Sequence, residues 1–265
     1  DPARLSTRTM VRTEEEMARA ADTLAGSYSH PIRGVVERAE AARHLSDEQR
    51  AALTHVTAAH SLACVVGYAG TGKSTMLGAA REMWEASGYQ VRGLALSGIA
   101  AENLEGGSGI SSSTLHAFQW ALKHGRATLT DKDVLVIDEA GMIGSRQMHA
   151  VLTAARDAGS KVVLVGDPSQ LQAIDAGGAF AAVLDRVAPV RITQVRRQHE
   201  EWQQLATRAL ADGHVHLALK AYQAGGAVKE HKTPEAARAA LVEQWAEDLH
   251  EKSPALILAA TKKDV

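Results

Sequence analysis

Residues 67–75 read GYAGTGKST and complete the pattern G-x-x-x-x-G-K-[ST], which dictates local structure at each of its fixed positions. Glycines let successive backbone N–H groups turn inward around a cluster of anionic oxygens, where a Cβ would obstruct them. The lysine reaches the β- and γ-phosphates, and the hydroxyl after it is placed to ligate Mg²⁺. Such a loop needs a strand that delivers it and a helix whose N-terminus faces the anion. Both flanks are present: LACVV at 62–66 is short, apolar and partly β-branched, and TMLGAAREMW at 75–84 follows at helical spacing. Gly67, Gly70, Thr71, Gly72, Lys73, Ser74 and Thr75 are therefore candidate contacts for a nucleoside triphosphate, with Ser74 a candidate Mg²⁺ ligand.

The rest of the chain repeats the strand–helix alternation that this loop requires. Apolar runs at 62–66, 91–96, 134–137, 161–165 and 190–193 alternate with helical patterns near 73–87, 97–104, 113–124, 144–158 and 177–187. Short β-branched runs separated by helices predict a parallel sheet covered on both faces. Upstream, Met10, Met17, Ala21 and Leu24 recur at helical spacing over 8–25, and a second helical stretch is expected over 31–43. Ser46 and Gln49 form a capping-box pattern for a further helix that runs to about His60. The glycines of GGSG at 106–109 predict a loop tip, and Gly213 a helix break. Beyond Gly225 the pattern predicts one β–α–β unit, with strands at 227–230 and 255–260 around a helix at 234–250. The expected division is an N-terminal helical segment at 1–45, a phosphate-loop α/β domain at 46–225 and the incomplete start of a second α/β domain at 226–265. Both ends of the chain read as cuts in a longer polypeptide.

Composition narrows the setting. A net charge of −2 gives no global nucleic-acid signature, although a local groove needs only a few donors. The single cysteine, Cys64, lies in the apolar run before the loop and reads as a core residue, which suits a reducing compartment. No stretch approaches the length of a transmembrane helix and no signal peptide opens the chain, so the cytoplasm is the expected location.

Three strand ends carry further chemistry. VLVIDEAG at 134–141 ends an apolar run in two acids. Parallel sheets present ligand-binding residues at the carboxyl ends of their strands. Asp138 can therefore hold Mg²⁺ and Glu139 can polarise an attacking water. VVLVGDPSQ at 162–170 puts Gln170 just past another strand, where it can bond a γ-phosphate or simply complete a turn. Arg196 and Arg197 follow the run at 190–193; their planar, permanently charged forks suit phosphate, and they equally suit a solvated face. His214 and His216 lie two apart in a helical pattern, diverge around the helix and read as surface residues, as does the charged stretch 12–19.

The ordered set of Gln49, GYAGTGKST, ALSGIAAENL, SSTLHAF, VLVIDEAG, VVLVGDPSQLQAI and VRRQ resembles the superfamily 1 helicases of the RecD-like group. Within that group it is similar to the helicase portion of plasmid conjugation relaxase–helicases of the Ti-plasmid TraA type, over essentially the whole chain. The resemblance implies a RecA-like P-loop α/β fold with N-terminal helices and the start of a second RecA-like domain. It implies ATP with Mg²⁺, and 5′→3′ movement on single-stranded DNA during plasmid transfer. Gln49 would read the adenine, Asp138 would bind metal, Glu139 would be the catalytic base, and Asp167 with Gln170 would couple the γ-phosphate to DNA. The strand carrying Asp167 would lie between the other two motif strands, and Arg197 would contact the γ-phosphate. Ser97, Gly98, Thr114 and His116 would touch the DNA backbone; Ser97 and Thr114 also read as ordinary helix caps. The implied partners are an upstream relaxase domain and a completing second motor domain in the parent chain. Without the latter, this chain is expected to bind nucleotide and turn it over slowly. Two other classes stay open: a P-loop ATPase that switches without translocating, and a DNA- or partner-binding module with a vestigial nucleotide site.

Overall fold

The computed structural model describes residues 6–32, 43–68, 70–168, 178–194, 200–211, 213–250 and 257. The chain forms two compact units, Asp1–His199 and Glu200–Val265.

The first unit is built on a six-stranded sheet: β1 (Leu62–Gly67), β2 (Gln90–Ala95), β3 (Ser112–Thr114), β4 (Asp133–Ile137), β5 (Lys161–Gly166) and β6 (Val190–Ile192). The strand order is β3-β2-β4-β5-β1-β6 and every pairing is parallel. β5 thus lies between β4 and β1, as the resemblance implies.

Ten helices accompany the strands among the described residues: α1 (Arg8–Ala25), α2 (Asp47–Val56), α3 (Lys73–Ala86), α4 (Gly98–Ser108), α5 (Leu115–Lys123), α6 (Ser145–Ala158), α7 (Ala179–Leu184), α8 (Glu201–Ala211), α9 (Val215–Ala224) and α10 (Pro234–His250).

The period-2 alternation of the strands divides the core in two. Leu62, Cys64 and Val66 of β1 face one cluster, with Leu135 and Ile137 of β4, and α1, α5, α6 and α7 cover that side. Ala63 and Val65 face the other cluster, with Val134 and Val136, and α2, α3 and α4 cover it. β1, β4 and β5 are buried along their whole length, which is why they read as continuous apolar runs. The buried face of α1 holds Met10, Met17, Ala20, Ala21 and Leu24, while Arg12–Glu16 and Arg19–Glu15 pair on its outer surface.

Two expectations for this unit change. Ser112–Thr114 is an edge strand paired with Gly93–Ala95 of β2, so α5 begins at Leu115 rather than near 113. Three hydroxyl residues give no apolar period from which to read a strand. The GGSG run is no loop tip either. Gly106, Gly107 and Ser108 form the last turn of α4, and Gly109 ends the helix in the left-handed conformation at φ 69°. A Cβ on Gly107 would stand 2.9 Å from the Ser74 Cβ, so the glycine permits close approach of α4 to α3. The stretch expected as a helix over 31–43 lies largely outside the described residues.

In the second unit, α8 and α9 pack together across the turn at Gly213 (φ 78°), with Trp202 edge-on to Tyr222 at 5.7 Å. Residues 227–230, expected as a strand, are irregular: the Ala227 N–H bonds the Tyr222 carbonyl at 2.9 Å and Lys229 reaches Gln244 at 3.0 Å. The strand expected at 255–260 lies outside the described residues apart from position 257. No described helix is long and apolar enough to cross a membrane.

Candidate nucleotide site

β1 ends at Gly67 and the loop passes directly into α3 at Lys73. Gly70 and Gly72 both have φ 79°, in the left-handed region where an L side chain is strained. The Thr71 hydroxyl donates to the Tyr68 carbonyl at 2.9 Å and holds the turn from within. Gly72 caps α3 without a side-chain hydrogen bond, so the first-turn N–H groups remain available to an anion. Lys73 lies back over the loop, its Nζ donating to the carbonyls of Gly67 at 2.8 Å and Tyr68 at 3.1 Å. Backbone carbonyls thus hold the ammonium where phosphate oxygens can replace them.

This loop forms one wall of a cleft of about 750 Å³, a volume suited to a nucleotide. Gly70 to Thr75 line it with His44, Gln49, Asn103, Asp138 and Glu139. His44 carried no sequence signal. Asn103 lies inside the ALSGIAAENL segment, where no local pattern marks it as a cleft residue.

The opposite wall is set by the exit of β4. The Asp138 N–H bonds the Leu94 carbonyl at 3.0 Å, and Asp138 Oδ1 accepts the Glu139 N–H at 2.9 Å. Glu139 has φ 52° and ψ 40°, the one described non-glycine residue with positive φ. Holding it there costs about 1–3 kcal/mol and re-aims the side chain relative to the strand. Burial raises the pKa of Asp138, opposed by the Glu139 N–H and Lys73. Burial also raises that of Glu139, helped by Asp138 and Asp167 and opposed by Lys73. Glu139 Oε2 is buried without a hydrogen-bond partner. A half-buried acid pair with an orphaned oxygen, lining the same cleft as Ser74, is a donor set that suits a hard divalent cation.

Glycines keep this wall thin. A Cβ on Gly141 would lie 2.6 Å from the Asp167 carbonyl oxygen, and one on Gly166 2.9 Å from the Ala140 nitrogen. The exits of β4 and β5 therefore touch backbone to backbone, and Asp167 is buried beside them at 5% exposure.

Gln49 lines the cleft with its amide already engaged. Oε1 accepts the Ser46 N–H at 2.9 Å, completing the capping box, and Nε2 donates to the carbonyls of Thr71 at 3.2 Å and Gly72 at 3.1 Å. Ser97 and Thr114 cap α4 and α5, accepting the N–H groups of Ala100 and Ala117, each at 3.2 Å. Ala95 pairs with Thr114 across β2 and β3, so both helix starts share the carboxyl edge of the sheet. Ser97, Gly98 and His116 are exposed there, as is Ile99 at 73%. Gln170, Arg196 and Arg197 lie outside the described residues. His214 and His216 are exposed at the start of α9, remote in sequence from the cleft-lining residues. No group of three or more His, Cys, Asp or Glu able to hold a metal occurs among the described residues.

The conjugal transfer protein TraA of Rhizobium radiobacter is 45% identical over 266 residues, covering 100% of this chain and 24% of TraA. The chain thus spans about a quarter of the length of that relative. The ATP-dependent RecD2 DNA helicase of Deinococcus radiodurans is 35% identical over 163 residues, 60% of this chain and 22% of that protein. The RecBCD enzyme subunit RecD of Mycolicibacterium smegmatis is 28% identical over 212 residues, 68% of this chain and 38% of that protein. Residues 44–233 match the family model described as an AAA domain. That match exceeds half of the chain, which therefore belongs to the AAA domain family and is related to the RecD-like helicases and to TraA.

Proposed function

We propose that this chain is the ATP-binding motor region of an ATP-dependent DNA helicase that moves 5′→3′ on single-stranded DNA during conjugative plasmid transfer. The observation that carries the reading is the cleft itself: Lys73, Ser74, Asp138 and Glu139 line one cavity beside the uncapped start of α3. Relatives named for conjugal transfer and for DNA helicase activity support the larger role.

In this reading the N–H groups at the start of α3 grip the phosphates. Lys73 leaves the Gly67 and Tyr68 carbonyls for the β- and γ-oxygens. Ser74 and Asp138 would hold Mg²⁺, which supplies positive charge against the triphosphate. Glu139 takes a proton from the attacking water at Oε2; its raised pKa makes it a stronger base than an ordinary carboxylate. Gln170 and Arg197 are assigned to the γ-phosphate, and Gln49 to the adenine. Ser97, Gly98, Thr114 and His116 are assigned to the single-stranded DNA backbone at the carboxyl edge, where hydroxyls and helix-start N–H groups bind without sequence preference.

The test is ATP hydrolysis with and without single-stranded DNA, in this chain and in one extended to the length of its TraA relatives. Nucleotide binding with slow turnover is expected here, and DNA-stimulated hydrolysis in the longer protein. Absence of DNA stimulation in the longer protein would exclude translocation and leave a nucleotide switch.

A further inference from the structure

Glu48 precedes the candidate adenine-reading glutamine and sits in the acidic first turn of α2, where a carboxylate ordinarily needs no explanation beyond the helix dipole. Its side chain is instead committed to residues that follow the edge strand β6. Oε2 accepts the backbone N–H groups of Thr193 at 2.8 Å and Gln194 at 2.9 Å, and Oε1 accepts the Thr193 hydroxyl at 2.8 Å. These two residues directly follow β6, which pairs with β1 from Val65↔Val190 to Gly67↔Ile192, beside the strand that delivers the phosphate loop. The next residue in α2, Gln49, donates to Thr71 and Gly72 within that loop. A Cβ on Gly72 would come 2.2 Å from Gln49 Nε2, so the approach leaves no slack. The contacts close a ring: β1 to loop, loop to Gln49, Gln49 to Glu48 through one peptide, Glu48 to the end of β6, and β6 back to β1.

We propose that Glu48 is a positioning residue for the nucleotide site, fixing the first turn of α2 so that Gln49 is aimed at the base side of the cleft. Its three acceptor contacts are charge-assisted, and together with the capping box and the Gln49 amide they anchor the first turn of α2. The inference rests on the reading of the cleft as an ATP site with Gln49 near the base.

The experiment titrates the intact chain with methylanthraniloyl-ATP and the matching GTP analogue, for wild type, Glu48→Ala, Gln49→Ala, the double variant and Thr193→Val. Wild type is expected to prefer the adenine nucleotide. Glu48→Ala should reduce that preference about five- to tenfold, a coupling typical of contacting residues. Gln49→Ala should do the same, and the double variant should lose no more than either single one. Thr193→Val removes one of the three contacts from a residue that lines no part of the nucleotide cleft, so a smaller loss in the same direction is expected, and it serves should Glu48→Ala fail to fold. A lowered melting midpoint with an unchanged ATP-to-GTP ratio, or additive losses in the double variant, would overturn the proposal while leaving the ATP site intact. Failure of wild type to bind either nucleotide would remove the site reading and this inference together.

Discussion

At the carboxyl ends of β4 and β5 the sheet gathers Asp138, Glu139 and Asp167, while at the amino ends it buries Lys161, Asp133 and His30. The amino end is closed by the chain itself. Lys161 is fully buried at the start of β5, its Nζ donating to the carbonyls of Ala58 and His60. Asp133 accepts Arg92 Nε at 2.8 Å and both the N–H and hydroxyl of Thr130, at 2.8 and 2.9 Å. At the carboxyl end like charges face one another, one Glu139 oxygen lacks a partner, and Lys73 is held by backbone carbonyls. Burying charge costs free energy that partners must offset. Lys161 and Asp133 have those partners within the chain, whereas the Asp138–Glu139 pair keeps an oxygen for a ligand to engage.

The largest expected break in this contrast is Lys73→Ala. It removes the cation that lines the cleft at the phosphate loop and should weaken ATP binding about a hundredfold, the scale of losing one charge-stabilising donor. Unchanged affinity in a fluorescence titration would mean the cleft binds nucleotide by some other set of residues.

Gly141→Ala comes next. Its Cβ would meet the Asp167 carbonyl at 2.6 Å, a backbone contact that cannot swing aside. The exits of β4 and β5 would have to separate, at a cost of about 1–3 kcal/mol in urea unfolding. A neutral substitution would show that the carboxyl end is loosely packed.

Glu139→Gln should have the opposite sign. It removes a carboxylate whose ionisation is disfavoured by burial and by Asp138, so the ligand-free protein should melt at a higher temperature. The same change should abolish turnover. A drop in the midpoint would mean that the acid pair already stabilises the empty site.

The two ends also differ in how much the sequence discloses. The phosphate loop, the acids after β4 and the buried strands are legible because their chemistry is local: spacing, burial period and turn residues lie within a few positions. The Gly106–Gly107–Ser108 turn misleads because intrinsic propensity favours a loop, whereas packing against Ser74 of α3 makes it helical. Glu48 is illegible for a different reason. Its partners lie 145 residues downstream, and an acid in the first turn of a helix already has a sufficient local explanation. Lys161 likewise shows in the sequence only as the first residue of the run at 161–165; the fold buries it fully against the carbonyls that precede β1.

The pH dependence of stability separates the two ends most finely. Burial lowers the pKa of His30 from 6.5 to about 4, with Lys161 adding to the shift, Asp131 opposing it and Lys132 reinforcing it. His55 is lowered for the same first reason, with Lys161 and His60 contributing. Burial lowers Lys161 from 10.5 to about 7. In each case the unfolded chain binds more protons between the folded and ordinary values, so stability increases with pH across that window. His30 supplies a limb rising from about 4 to 6.5, His55 adds to it below its ordinary value, and Lys161 supplies a second limb from about 7 to 10.5. Asp138 and Glu139 act with the opposite sign, because their raised values make the folded state bind more protons just above the ordinary carboxylate range. Urea unfolding between pH 5 and 9 should therefore show stability increasing towards the alkaline side. Lys161→Met should flatten the profile above pH 7 and also make the acidic limb shallower, because the Lys161 charge adds to the lowering of His30 and His55, whereas Glu139→Gln should steepen the acidic limb while leaving the alkaline one. A profile that Lys161→Met does not alter would place the amino-end proton elsewhere and dissolve the contrast between the two ends.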